Sequence, residues 1–171
     1  IARLAVRGAG HVPIVEEGLE EILADAVRAG NLTFVLGCDP AVRTADVVFL
    51  CVPTPQGDDG SADLSYVEAV SEEIRDVLPY ESIVVNKSTV PVGSTKSVER
   101  VLRRPDVRVV SNPEFLREGS AVDDFLKPDR VVVGVESERA RAVMADLYAP
   151  FVRAEQPILF MDPRSAELTK Y

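Results

Sequence analysis

Asp46-Val47-Val48-Phe49-Leu50-Cys51-Val52-Pro53-Thr54-Pro55-Gln56-Gly57 is the stretch that decides the fold. Its first half is an apolar run without alternation, the mark of a strand buried on both faces of a parallel sheet. Its second half breaks into prolines and polar residues. The same change recurs downstream. Ser82 to Val85, Val107 to Val110 and Arg130 to Val135 read as further buried strands, and Pro157 to Met161 as a last one. Helical patterns lie between them. Asp63 to Leu78 has a cap region at Ser61/Asp63 and apolar residues at Val67, Val70, Ile74 and Val77. Gly93 to Leu102 and Ser137 to Tyr148 follow, the latter carrying Val143, Met144 and Leu147. Upstream, Glu16 to Ala29 reads as a helix stopped by Gly30, then Leu32 to Val35 as a short strand. At the other end Asp162 caps a helix with Pro163 in its first position. Alternating strand and helix predicts an α/β protein with a doubly wound sheet.

The composition agrees. A chain of 171 residues suits one domain. An apolar share of 46% and a charged share of 27% are those of a soluble globular protein. There are 28 acidic and 19 basic residues, a net charge of −9, and no basic stripe, so a nucleic-acid partner is not expected. An anionic ligand must then be held by backbone amides and a few placed cations. No apolar run approaches the roughly 20 residues of a membrane span. Cys38 and Cys51 imply no disulfide framework, and Cys51, inside its apolar run, reads as a buried, inert thiol. A reducing, cytoplasmic setting is expected. The chain starts at Ile1 and stops at Tyr171 in the opening turns of a helix, so both ends are expected to be cut edges.

In doubly wound sheets ligands bind beyond the carboxyl ends of the strands. Three strands here end in polar, proline-stiffened loops: Pro53 to Gly57, Asn86 to Thr95, and Ser111 to Gly119. Thr54, between two prolines, either fixes a turn or offers a hydroxyl to a flat cofactor ring or ribose. Lys87, Ser88 and Thr89 precede a helix start at Gly93-Ser94-Thr95, and such a start is a ready anion site. Glu114 and Glu118 would share one face if their segment is helical. Two like charges so close would raise one pKa and suit proton transfer. The competing reading makes both a solvated first turn. Arg117 reads equally as a solvated charge, and His11 as a surface or turn residue. Leu4 to Gly10 imitates a strand entering a G-x-G-x-x-G turn, but Pro13 replaces the third glycine and no acidic ribose ligand follows, so it is rejected as a dinucleotide fingerprint.

Taken together, Cys51-Val52-Pro53-Thr54-Pro55, Lys87-Ser88-Thr89-Val90-Pro91-Val92-Gly93, Asn112-Pro113-Glu114-Phe115-Leu116-Arg117-Glu118-Gly119, Pro128-Asp129-Arg130 and Glu167-Leu168-Thr169-Lys170 resemble the UDP-glucose 6-dehydrogenase family in order and spacing. The resemblance covers nearly the whole chain. It implies a Rossmann-like, mostly parallel sheet over residues 1–161, lacking its first βαβ strands, with residues 162–171 opening a central linking helix. It implies oxidation of the 6-hydroxyl of UDP-glucose to a carboxylate with two NAD+ and one water, through a cysteine thioester. Carried over, Val52, Pro53, Thr54, Pro55, Gln56, Ser88 and Thr89 would line the NAD site, with Glu118 contacting the cofactor. Thr89 would help place a water near the reactive carbon. Glu114, Phe115, Leu116, Arg117, Glu118 and Lys170 would line the sugar side. Glu114 would be the acid/base, and Lys170 would stabilise the developing oxyanion. A homodimer would form through the linking helix. No metal site is assigned. Neither Cys38 nor Cys51 matches the family's catalytic cysteine, so the chain alone is expected to be inactive. GDP-mannose 6-dehydrogenases share the Asn-Pro-Glu-Phe-Leu-Arg-Glu motif, and a non-catalytic nucleotide-binding module is the remaining alternative.

Overall fold

The computed structural model describes residues 15–57, 60–153 and 157–171. His11 and the Leu4 to Gly10 segment lie outside them. Five strands form one sheet in the order β1-β2-β3-β4-β5. They are β1 (Val47–Leu50), β2 (Ile83–Asn86), β3 (Arg108–Ser111), β4 (Val131–Gly134) and β5 (Ile158–Met161). Each lies inside or within one residue of a run expected from the sequence. β1, β2 and β3 are parallel neighbours. Valine and isoleucine, stiff at χ1 and suited to a pleated surface, supply most of these positions.

The helices are α1 (Leu19–Arg28), α2 (Asp39–Val42), α3 (Ser65–Ile74), α4 (Ser94–Leu102), α5 (Ala121–Leu126), α6 (Glu138–Tyr148) and α7 (Pro163–Leu168). Strand alternation distributes the core between two faces. Val84 and Val109 pack with Val67, Ile74, Val98 and Leu102 of α3 and α4. Ile83, Val85 and Val110 pack on the other face with Ala140, Met144 and Tyr148 of α6. The result is the three-layered, mostly parallel Rossmann-like arrangement.

Two expectations change. Leu32 to Val35 is not a strand: it runs without sheet pairing, and β1 is the edge among the described residues. A short, mostly apolar segment carries no pairing information of its own, and this one pairs with no strand among the described residues. The sheet also reverses. β3 and β4 are antiparallel and share one registered pair, Ser111 with Gly134, while β5 runs parallel to β4. Both residues of that pair end their strands, so β4 and β5 rise past the carboxyl edge of β1–β3. They form a wall beside the loops that leave that edge.

α7 begins as the sequence indicates. Asp162 accepts a hydrogen bond from Ser165 N at 3.0 Å, and Pro163 takes the first turn. The helix then docks against the sheet through its only long-range carboxylate. Glu167, 2% exposed, accepts from Gly93 N at 2.5 Å and from Thr95 N and Thr95 Oγ1 at 2.7 Å each. Gly93, at φ 99°, turns its N–H towards that carboxylate, a conformation L side chains resist. No side chain of α4 caps its own start. The anion site expected at Gly93-Ser94-Thr95 therefore exists, but the chain fills it with its own carboxylate. Among the described residues no helix is long and apolar enough to cross a membrane.

Candidate functional site

The loops after β1 and β2 are sewn together. Ser88 Oγ donates to Val52 O at 2.7 Å, and Thr54 Oγ1 donates to Thr89 O at 2.7 Å. Thr54 therefore does not present a free hydroxyl; its hydrogen is spent on fixing the Thr89 backbone. The hydroxyl of Thr89 makes no hydrogen bond among the described residues. Pro53, Pro55 and Gln56 are exposed beside it, and the loop folds on itself through a Gln56–Ala62 bridge and the Asp63 N to Pro55 O bond of 2.8 Å. Cys51 is exposed at the end of β1, not buried as its apolar neighbours suggested. It lies past the last paired residue of β1, which has a strand on one side only among the described residues. Crowding by the surrounding protein pushes its thiol pKa up, and the Lys87 charge pulls it back.

The third loop is not helical over residues 112–117, so Glu114 and Glu118 do not share a helix face. Glu114 Oε2 accepts from Leu116 N at 2.7 Å, a local bond of the kind that competes with helix formation, and Pro113 precedes it. The expected coupling between two carboxylates is absent. Glu118 is exposed, and its side chain makes no hydrogen bond or ion pair among the described residues. Arg117 is committed to Asp124, with its NH2 nitrogen 2.6 Å from Oδ1. Leu116 is 38% exposed, and Phe115 is half-buried.

Glu114 instead meets Lys170, 56 positions later. Lys170 Nζ lies 2.8 Å from Glu114 Oε1 and also donates to the Glu114 carbonyl. The two partners reach each other because Glu167, three residues before Lys170, fixes α7 against α4. Phe115 is flanked by cations: Arg130 sits 4.6 Å and Lys170 5.6 Å from its ring centre. Around these groups is a pocket of about 470 Å³ whose lining includes Lys87, Asn112, Glu114, Phe115, Arg130 and Tyr148. The wall raised by β4 closes one side of it through Val131.

Burial pushes the Glu114 carboxyl up, but hydrogen bonds from Lys170 and Leu116 and the charges of Lys170 and Lys87 outweigh it, so its pKa sits below the ordinary value. A carboxyl depressed in the folded state stabilises the fold above its unfolded pKa of about 4.3, and that contribution is lost as pH falls through the lower native value. Wild type should therefore melt above the Glu114→Gln variant at neutral pH, and the gap should close on acidification. A gap that persists unchanged in acid would contradict the pairing.

Sequence reasoning missed two anchors. Glu167 carried no assigned role, because its partners lie more than 70 positions away. Glu16 was also passed over; its carboxylate accepts from Gly119 N at 2.9 Å and Ala121 N at 3.1 Å and pins the far end of the third loop.

A sequence model for the NAD-binding domain of the UDP-glucose/GDP-mannose dehydrogenase family matches residues 3–152. The chain belongs to that family. A UDP-glucose 6-dehydrogenase of Pseudomonas aeruginosa is 49% identical over 177 aligned positions, covering 99% of this chain and 39% of the relative. The solved UDP-glucose dehydrogenase of the hyperthermophilic archaeon Pyrobaculum islandicum is 44% identical, with a TM-score of 0.90 over 99% of this chain and 40% of that one. A GDP-mannose dehydrogenase of Pseudomonas aeruginosa also has a TM-score of 0.90, at 31% identity, over 99% of this chain and 41% of its own. The chain thus spans about two fifths of the length of these family members, in the part that binds NAD.

Proposed function

We propose that this chain is the NAD-binding part of an enzyme that oxidises UDP-glucose to UDP-glucuronate. The observation that carries the reading is the Lys170–Glu114 contact at the carboxyl edge, beside the sewn loops of Thr54 and Thr89. The overall change turns one CH2OH into a carboxylate. Two hydrides leave for two NAD+, one water enters, and three protons are released. The residues present fit the nicotinamide end of the cofactor: an exposed, proline-stiffened loop from Val52 to Gln56 faces a fixed Ser88-Thr89 backbone with one unused hydroxyl. When bound, NAD+ supplies the hydride acceptor.

Glu114 is held ionised, so it can take a proton from a water placed by Thr89. Lys170, held against the pocket-lining Glu114, puts a positive charge beside the oxygen on which negative charge develops. Phe115 and Leu116 supply apolar contact to the sugar side. Arg117 and Glu118 enter this reading as substrate contacts, with Glu118 reaching the cofactor; for Arg117 this requires leaving Asp124. The thioester would form on a cysteine outside these residues, since Cys38 and Cys51 lie in other contexts, and the chain alone would then be inactive. Residues 162–171 would open the linking helix through which a cytoplasmic homodimer forms.

The test is NADH formation by the full-length enzyme given UDP-glucose, with GDP-mannose as control. Two NADH per UDP-glucose are expected, and no turnover of GDP-mannose. Absence of turnover with UDP-glucose would favour a nucleotide-binding module instead. Lys170→Met should lower kcat by about 10²–10³-fold, the scale for removing one oxyanion-stabilising group, with a much smaller change in NAD affinity.

A further inference from the structure

Lys87 is the first residue past β2, and it lines the same pocket as Glu114, the partner of Lys170. Its ammonium has only neutral partners at the long limit of hydrogen bonding: Asn112 Oδ1 at 3.4 Å and Tyr148 OH at 3.5 Å. Those two also bond each other more closely, Tyr148 OH donating to Asn112 Oδ1 at 2.5 Å. Asn112 is locked further by its Nδ2 bond to Val132 O at 2.8 Å. No carboxylate lies within ion-pair distance of Lys87 among the described residues. Glu114, one of the acids lining the same pocket, has given one oxygen to Lys170 and the other to Leu116 N.

A cation taken out of water without a counter-ion is costly, and the cost is recovered when an anion arrives to pair with it. Burial accordingly pushes the Lys87 pKa down, with Cys51 and Glu114 pulling it up and Lys170 adding to the decrease. The lining balances four cations against four carboxylates, but Arg117 pairs with Asp124, Lys127 with Asp123 and Glu114 with Lys170, which leaves Lys87 without a paired acid among the described residues.

We propose that Lys87 binds the carboxylate that the reaction creates, so that the site holds the acid product more tightly than the alcohol substrate. This rests on the reading under Proposed function. The substrate carbon enters as a neutral CH2OH and gives Lys87 only another neutral acceptor. The product offers a full negative charge to a half-buried ammonium with open donors, and charge-assisted bonds of that kind are about twice as strong as neutral ones. Lys170 already carries a carboxylate partner in Glu114, whereas Lys87 has none within ion-pair distance among the described residues.

Calorimetric titration of the full-length enzyme, without NAD, with UDP-glucose and with UDP-glucuronate tests this. Wild type should bind UDP-glucuronate at least tenfold more tightly than UDP-glucose; equal affinities overturn the proposal without any variant. Lys87→Met should weaken UDP-glucuronate binding at least tenfold and UDP-glucose binding less than threefold. Lys87→Gln should show the same selective loss, and Lys87→Arg should retain the preference. Equal weakening for both ligands, as a merely structural lysine would give, overturns it. A wild-type enzyme that binds neither nucleotide sugar refutes the reaction itself, which is a different outcome from lost selectivity.

Discussion

Replacing Gly134 by alanine is expected to cost about 1–3 kcal/mol of stability or more, the range for forcing extra volume into a packed core, and to lower turnover of the full-length enzyme by about two orders of magnitude. The glycine ends β4 where α7 crosses it. A Cβ there would stand 2.5 Å from Ala166 Cβ and 2.7 Å from Pro163 Cα. The second of these is backbone, so no rotamer change relieves the overlap and α7 must move away from the sheet. Lys170 leaves that helix only two residues past its end, so it moves as well. A displacement of about 1 Å at a catalytic group can cost about 10² in rate. The experiment pairs chemical denaturation with kcat on the same variant. Unchanged stability would show that the helix already has room. Lost stability with full activity would show that Lys170 does not depend on the position of α7.

Replacing Glu167 by alanine should destabilise the protein by about 3–5 kcal/mol. Three donors lose their acceptor at once: Gly93 N, Thr95 N and Thr95 Oγ1. Each buried donor left unmet costs about 1–3 kcal/mol, and the vacated volume adds a cavity cost. The positive end of the α4 dipole also loses its carboxylate. Glu167→Gln keeps the shape and an acceptor oxygen, so its loss should be smaller, about 1–2 kcal/mol on the same scale. Urea denaturation of the two variants against wild type separates the charge from the shape. Equal losses in both would mean that charge alone matters; a negligible loss in both would remove Glu167 from the account of how α7 is held.

The strands were legible because burial on both faces leaves an unbroken apolar run. Their direction was not. Val131, Val132 and Val133 read alike in either orientation, so the reversal between β3 and β4 left no trace in the sequence. Leu32 to Val35 misled for the related reason that an apolar segment does not announce whether it has a neighbour. The Glu114/Glu118 spacing fitted a helix, but Pro113 and the bond from Leu116 N to the Glu114 carboxylate accompany a non-helical path instead. The three site loops were visible through their prolines and hydroxyls, and their motifs carried the family. What joins them was not visible. The Thr54–Thr89 bond, the Lys170–Glu114 pair and the Glu167 cap connect residues 35, 56 and 72 positions apart, and local pattern carries no information at that range.

The Glu167 cap also has a consequence for synthesis. The carboxylate that completes the first turn of α4 is encoded 72 residues after Thr95. At about 5–20 residues per second on the ribosome, the start of that helix waits roughly 4–14 s for its partner to be made. During that interval the amides of Gly93 and Thr95 can be satisfied only by water. The half of the sheet made first therefore emerges before it can close, and a nascent chain halted short of Glu167 should expose this turn to hydrogen exchange and proteolysis.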